Sequence, residues 1–234
     1  MEVGGGAPRP IAQLWCGVLA LVLTSAPDLS AHGVSAADKA FMEQGGLMAF
    51  LYLGAKHMVT GYDHLLFLVG VIFFLYRLRD VGLYVTLFAV GHSVTLLYGV
   101  LSGTNANPFI VDAIIGFSVV YKAFDNLGGF TRLFGRQPDT RAAVLIFGFF
   151  HGFGLATKLQ ELNLARDGLV PNMLAFNVGV EIGQLLALSA ILLVMNYWRR
   201  TASFARHAYG ANVVLLTAGF VLTGLQLTGY AIGQ

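Results

Sequence analysis

Charged residues and cysteines are both scarce in this sequence. Only 11% of its 234 residues are charged and 56% are hydrophobic, whereas about 25% of an average soluble domain is charged. The charges cluster between long apolar runs, which excludes a soluble domain and is typical of a helical membrane protein. The single cysteine, Cys16, excludes an internal disulfide and a metal site built on paired cysteines. The net charge of +2 gives no indication of nucleic-acid binding.

The first 31 residues have the features of a cleavable secretory signal. Arg9 gives a short basic start, residues 11–23 form an apolar core, and small residues lead up to Ala31. The apolar core is short for a membrane span, although an uncleaved first helix is the alternative. We predict a signal peptide over 1–31, a periplasmic lead-in over 32–46 and a transmembrane domain over 47–234.

Long apolar runs follow the lead-in, at residues 47–76, 82–102, 108–127, 142–158, 172–198 and 208–230. Each run is long enough to cross about 30 Å of hydrocarbon as a helix, and the fourth is near the lower limit. The sequence therefore predicts an all-α fold, a polytopic membrane helix bundle with six transmembrane helices after the signal peptide.

Arginines occur in alternate loops between these runs. The loops after the first, third and fifth runs carry Arg77, Arg79, Arg132, Arg136, Arg141, Arg199, Arg200 and Arg206. The other loops are uncharged or balanced, so the positive-inside rule places the arginine loops in the cytoplasm. Both ends of the mature chain then face the periplasm, and the expected location is the bacterial inner membrane.

The first run begins with a group of ionisable residues. His57 and His64 are seven residues apart and would share one face of a helix, with Asp63 on the neighbouring flank. A carboxylate inside a membrane helix costs about 2.5–3.5 kcal/mol on insertion scales. A metal ion, a proton path or polar partners on other helices must offset this cost.

Three later runs each carry an ionisable residue at a similar depth. His92, His151 and Glu181 lie about 10–15 Å from the outer ends of their runs, at about 1.5 Å per residue. Glu181 also shares a stripe with Asn177 and Gln184, and such a stripe is expected to face the bundle interior. The sequence thus predicts one polar layer formed by several helices.

The residue types in this layer indicate a metal site. Imidazoles and carboxylates without a thiolate suit Ni, Co, Zn, Fe or Mn better than Cu(I). We predict that the histidines hold a divalent transition metal ion, and that the two acids are further ligands or bases behind the histidines. The predicted site residues are His57, Asp63, His64, His92, His151 and Glu181. No HExxH or Gly-x-Ser-x-Gly motif points to a different site.

The third run carries further charges that have structural explanations. Lys122 and Asp125 are three residues apart, which predicts an internal salt bridge, although the pair could also line an inward path for an ion. Asp112 lies in the first turn, where a carboxylate is expected to stabilise the helix N-terminus.

The pattern His57-x5-Asp63-His64 resembles the first-helix motif of the HupE/UreJ family. The segments Gly91–Leu96, Phe150–Gly152 and Phe176–Gln184 also look like that family, in its second branch. The resemblance implies a nickel or cobalt permease linked to the maturation of hydrogenase or urease. Its implied partners are the lipid bilayer, the metal ion, and a metalloenzyme or its maturation proteins.

This sequence departs from the family pattern in the second motif. Family members follow Phe-His-Gly with a second histidine and a glutamate, where this chain has Leu155 and Lys158. We expect Glu181, on the next run, to supply the missing acid.

The sequence as a whole favours transport or binding of a Ni-, Co- or Zn-like ion over an enzymatic function. One alternative is an intramembrane zinc hydrolase in which Asp63 or Glu181 acts as the base and Ser93 assists. Another is a non-catalytic membrane subunit or assembly factor of a larger complex. Such a subunit could bind a haem through His92 and His151.

Overall fold

The structure, a computed structural model, describes residues 36–161 and 168–233. These ranges are helical apart from short links and contain no β-strand. The helices are α1 Ala36–Thr60, α2 Tyr62–Ile72, α3 Leu78–Ser102, α4 Pro108–Asn126, α5 Gly129–Phe134, α6 Thr140–Glu161, α7 Leu169–Arg199 and α8 Ala202–Ile232. The predicted all-α fold is confirmed for this part of the chain.

Four of the described helices are long and apolar enough to cross a membrane, namely α3, α6, α7 and α8. The first predicted run is divided between α1 and α2, and α4 has only 19 residues, among them three charged ones. Six membrane spans therefore stay a prediction. The predicted signal peptide lies outside the described residues.

The first apolar run is interrupted at Gly61, where the sequence predicted one continuous helix. Gly61 has φ −70° and ψ 99°, so α1 ends at Thr60 and a new helix begins at Tyr62. The break places Asp63 and His64 in the first turn of α2. There the helix dipole stabilises a carboxylate, which offsets part of the cost of burying Asp63. A second kink lies at Gly46, whose φ of 54° and ψ of −150° suit only glycine.

Glycines bring three pairs of helices into backbone contact: α1 with α7, α3 with α6, and α4 with α8. A Cβ added at Gly179 would lie 2.0 Å from the carbonyl oxygen of Leu51. One added at Gly148 would lie 2.6 Å from that of Phe88. Small residues at such contacts let membrane helices pack closely, which is a main source of their association. These contacts hold the two helices of each pair close together.

The short helix α2 contacts α1, α4, α7 and α8. Its C-terminal end is held by hydrogen bonds to its last carbonyls. The guanidinium of Arg199 donates to the carbonyls of Ile72 and Phe73, and the amide of Asn126 donates to that of Gly70 at 2.8 Å. These bonds satisfy carbonyls that a helix end leaves without intrahelical partners. They also fix the position of α2, which carries the central histidine of the site described below.

Candidate metal centre

Four histidines from four different helices converge on the N-terminal end of α2. The ring of His64 is central, with ring centroids 5.0 Å from His57 of α1, 4.9 Å from His151 of α6 and 6.3 Å from His92 of α3. Asp63 is adjacent to His64 in the same turn. The structure thus brings together five of the six residues predicted as metal ligands.

The donor atoms of these residues form two overlapping groups. The first is His57, His64 and His92, and the second is Asp63, His64 and His151. Within each group one donor atom per residue lies within 4.8 Å of the others. An ion that bonds two donors at about 2.1 Å keeps them no more than about 4.2 Å apart. Side-chain shifts of less than about 1 Å would therefore bring three donors onto one ion.

Hydrogen bonds fix the tautomers of two of the rings. Nδ1 of His64 lies 3.1 Å from Oδ1 of Asp63, and Nδ1 of His151 lies 2.8 Å from the carbonyl oxygen of Phe147. Because a carbonyl or carboxylate oxygen can only accept, Nδ1–H is the donor in both bonds. The lone pair is then on Nε2, which is the arrangement that histidine ligands of metals usually show.

His92 is fully buried, and within the described part of the chain its ring nitrogens lack hydrogen-bond partners. Its side chain is 0% exposed, and neither ring nitrogen has a hydrogen-bond partner among the described residues. Burying a polar group without a partner is costly, and such groups are uncommon in folded proteins. A metal ion that accepts the lone pair of one imidazole nitrogen would remove part of this cost, so the burial of His92 fits a metal centre.

Close packing between α3 and α6 holds His92 and His151 in place. The hydroxyl of Thr95 donates to the carbonyl of Phe149 at 2.7 Å. Gly152 approaches α3 so closely that an added Cβ would lie 2.2 Å from the carbonyl oxygen of His92. The two imidazoles therefore belong to helices whose backbones cannot slide apart without losing these contacts.

Glu181 belongs to neither donor group, and the prediction that it faces the bundle interior is wrong. Asn177 and Gln184 of the same stripe are 6% and 1% exposed, but Glu181 is exposed. At about 100° per residue the three positions spread over about 60° of the helix, with Glu181 at one margin. Helical spacing shows that residues share an arc of the helix surface, but it does not show in which direction that arc faces. In this structure the inward face of α7 ends just before Glu181.

Polar contacts of α4 confirm one structural prediction and correct another. Lys122 Nζ lies 2.6 Å from Asp125 Oδ2, so the internal salt bridge is confirmed. Asp112 was expected to stabilise the start of α4, but the side chain that caps this helix is Asn107. Asp112 instead pairs with Lys158 of α6 at 2.7 Å. A buried carboxylate is better served by a cation on a neighbouring helix than by a terminus that is already capped.

Sequence reasoning did not identify Gly61 as a site residue. A Cβ at this position would lie 2.6 Å from Nδ1 of His64 and 3.0 Å from the carbonyl oxygen of His57. The glycine therefore makes room for the imidazole as well as breaking the helix. A glycine preceded by Thr60 within an apolar run was the available signal, because both residues are weak helix formers.

Comparison with protein families matches residues 35–234 to the family described as HupE / UreJ protein. The chain belongs to this family. The matched range contains every described helix and all five clustered residues of this HupE / UreJ protein. Comparison with curated proteins and with solved structures finds no significant match.

Proposed function

We propose that this HupE / UreJ protein carries a divalent transition metal ion across the membrane. The ion is held by His57, Asp63, His64, His92 and His151. The observation that carries the proposal is the meeting of four imidazoles and a carboxylate from four helices, with donor atoms in each group within 4.8 Å. Glu181 is left out of this ligand set because its side chain is exposed.

The donor set favours nickel, cobalt or zinc as the transported ion. Neutral imidazole is a good ligand for all three, and no thiolate belongs to either donor group. The resemblance to nickel and cobalt permeases points to the first two. The recipient of the ion would then be a metalloenzyme such as a hydrogenase or urease, or a protein that matures it.

Differences in burial support an order in which the ion meets the histidines. His57 is half-buried, whereas His64, His92 and His151 are each at most 1% exposed. In the proposed topology six spans cross the inner membrane, with the arginine loops in the cytoplasm. The ion enters from the periplasm, meets His57 first, loses water and passes to the buried rings.

The test compares metal accumulation in cells that express the wild-type chain, His64→Ala or His207→Ala. His64 belongs to both donor groups, so its loss should lower Ni²⁺ or Co²⁺ accumulation at least tenfold. His207 is the matched control, because its ring contacts Ser203 and belongs to neither donor group. Equal accumulation with His64→Ala and wild type, at equal expression, would refute the proposal.

A further inference from the structure

A second polar compartment lies at the opposite end of α2 from the histidines. A cavity of about 210 Å³ opens there. Its lining includes Val71 of α2, Tyr84 of α3, Lys122 and Asp125 of α4, Gln137 of the link before α6, and Thr140, the first residue of α6. None of these six residues belongs to the metal centre, and three of them contribute polar atoms to the buried carboxylate of Asp125.

The carboxylate of Asp125 is the focus of this cavity. Its side chain is 3% exposed and accepts a hydrogen bond from Lys122 Nζ at 2.6 Å. Gln137 Nε2 donates to its other oxygen at 2.8 Å, and the hydroxyl of Thr140 lies 3.5 Å away. All three donors belong to side chains, which can turn away without disrupting a helix. The carboxylate of Asp125, the side-chain amide of Gln137 and the hydroxyl of Thr140 also supply oxygen atoms of the kind that hydrated divalent cations bind.

Helix α2 connects this cavity with the metal centre. The stem of Lys122 packs against α2 at Gly70, where an added Cβ would lie 3.2 Å from Lys122 Cγ. Gly70 is about 9 Å along the helix from His64. The two polar compartments are therefore at the two ends of one short helix.

An apolar layer separates the two compartments. Phe67 of α2 is 1% exposed, and its ring centroid lies 5.5 Å from that of Phe88 and 5.9 Å from that of Phe147. The same ring is 5.6 Å from His151. These aromatic rings lie between the histidines and the C-terminal end of α2, so in the proposed transport cycle the ion has to pass this layer.

We propose that the cavity is a second station for the transported divalent cation, with Asp125 as its ligand. Lys122 acts as a tethered counter-ion that neutralises the carboxylate whenever the cation is elsewhere. At the same distance a carboxylate attracts a divalent ion twice as strongly as it attracts an ammonium group, which favours the exchange of Lys122 for the arriving ion. This inference rests on the proposed transport function.

The experiment uses the full chain in proteoliposomes with an entrapped Co²⁺ indicator, together with equilibrium Co²⁺ binding in detergent. The informative variant is Lys122→Met/Asp125→Leu, because replacing both partners of a buried pair with apolar groups often leaves a fold intact. Asp125→Asn is a second, smaller change. Asp139→Asn is the matched control, since this carboxylate is exposed and does not line the cavity.

The double variant and Asp125→Asn should both bind Co²⁺ within about twofold of wild type, because the histidines are untouched. Their initial uptake rates should fall at least tenfold, while Asp139→Asn transports normally. Uptake at the wild-type rate by the double variant would overturn the second station and show that the pair is only structural. Failure of the wild-type chain itself to bind or transport Co²⁺ would instead overturn the proposed function, and the second station with it.

Discussion

Replacing Gly61 with alanine tests the geometry of the metal centre with a single methyl group. The backbone conformation of Gly61, φ −70° and ψ 99°, is one that alanine adopts without strain. The added Cβ would lie 2.6 Å from Nδ1 of His64, whereas ordinary contacts begin at 3.4 Å. The imidazole must therefore move by about 0.8 Å or turn away from Asp63.

A shift of that size moves the ring out of the orientation that its hydrogen bond to Asp63 fixes. Changing the groups that orient a metal ligand typically costs 10–100-fold in affinity. We therefore expect Gly61→Ala to weaken Co²⁺ binding 10–100-fold. The affinity is measured by competition with a chelator of known affinity, on the full chain in detergent.

Gly210→Ala is the matched control, because its Cβ would meet nothing within 4 Å. This change should leave the affinity unchanged and could stabilise α8 by up to about 1 kcal/mol. The melting temperature of each variant shows whether the fold is retained. The described position of His64 relative to Gly61 would be refuted by the following result. Gly61→Ala melts normally and binds Co²⁺ as tightly as wild type, while His64→Ala does not bind it.

Two further predictions concern the contacts that hold the bundle together. Lys158→Met should destabilise the protein by about 3–5 kcal/mol, because it leaves the buried carboxylate of Asp112 without its cation. In thermal unfolding, the double variant Lys158→Met/Asp112→Asn should recover most of that loss. Gly179→Ala should lower the melting temperature and yield of folded protein, since its Cβ would lie 2.0 Å from the carbonyl oxygen of Leu51. Gly210→Ala, made on an open face, should not. Equal stability of the two glycine variants would contradict the close α1–α7 contact.

Much of this molecule follows from properties that are local along the chain. The scarcity of charge and the long apolar runs determine a helical membrane protein, because hydrocarbon leaves few other ways to pair the backbone. Helical rise places His64, His92 and His151 at one depth before any packing is known. The salt bridge between Lys122 and Asp125 is local too, since residues three apart are neighbours on any helix.

Other features depend on which helices are neighbours and on how each one is rotated about its axis. The 1.5 Å rise gives depth only, so the same spacing that groups Glu181 with Asn177 leaves open which side of the arc faces inward. The partner of Asp112 lies 46 residues away on α6, and no local pattern indicates it. Only the packed structure shows that Gly61 ends one helix and leaves space for the imidazole of His64. Depth is a property of each helix alone, whereas ligand geometry is a property of four helices packed together.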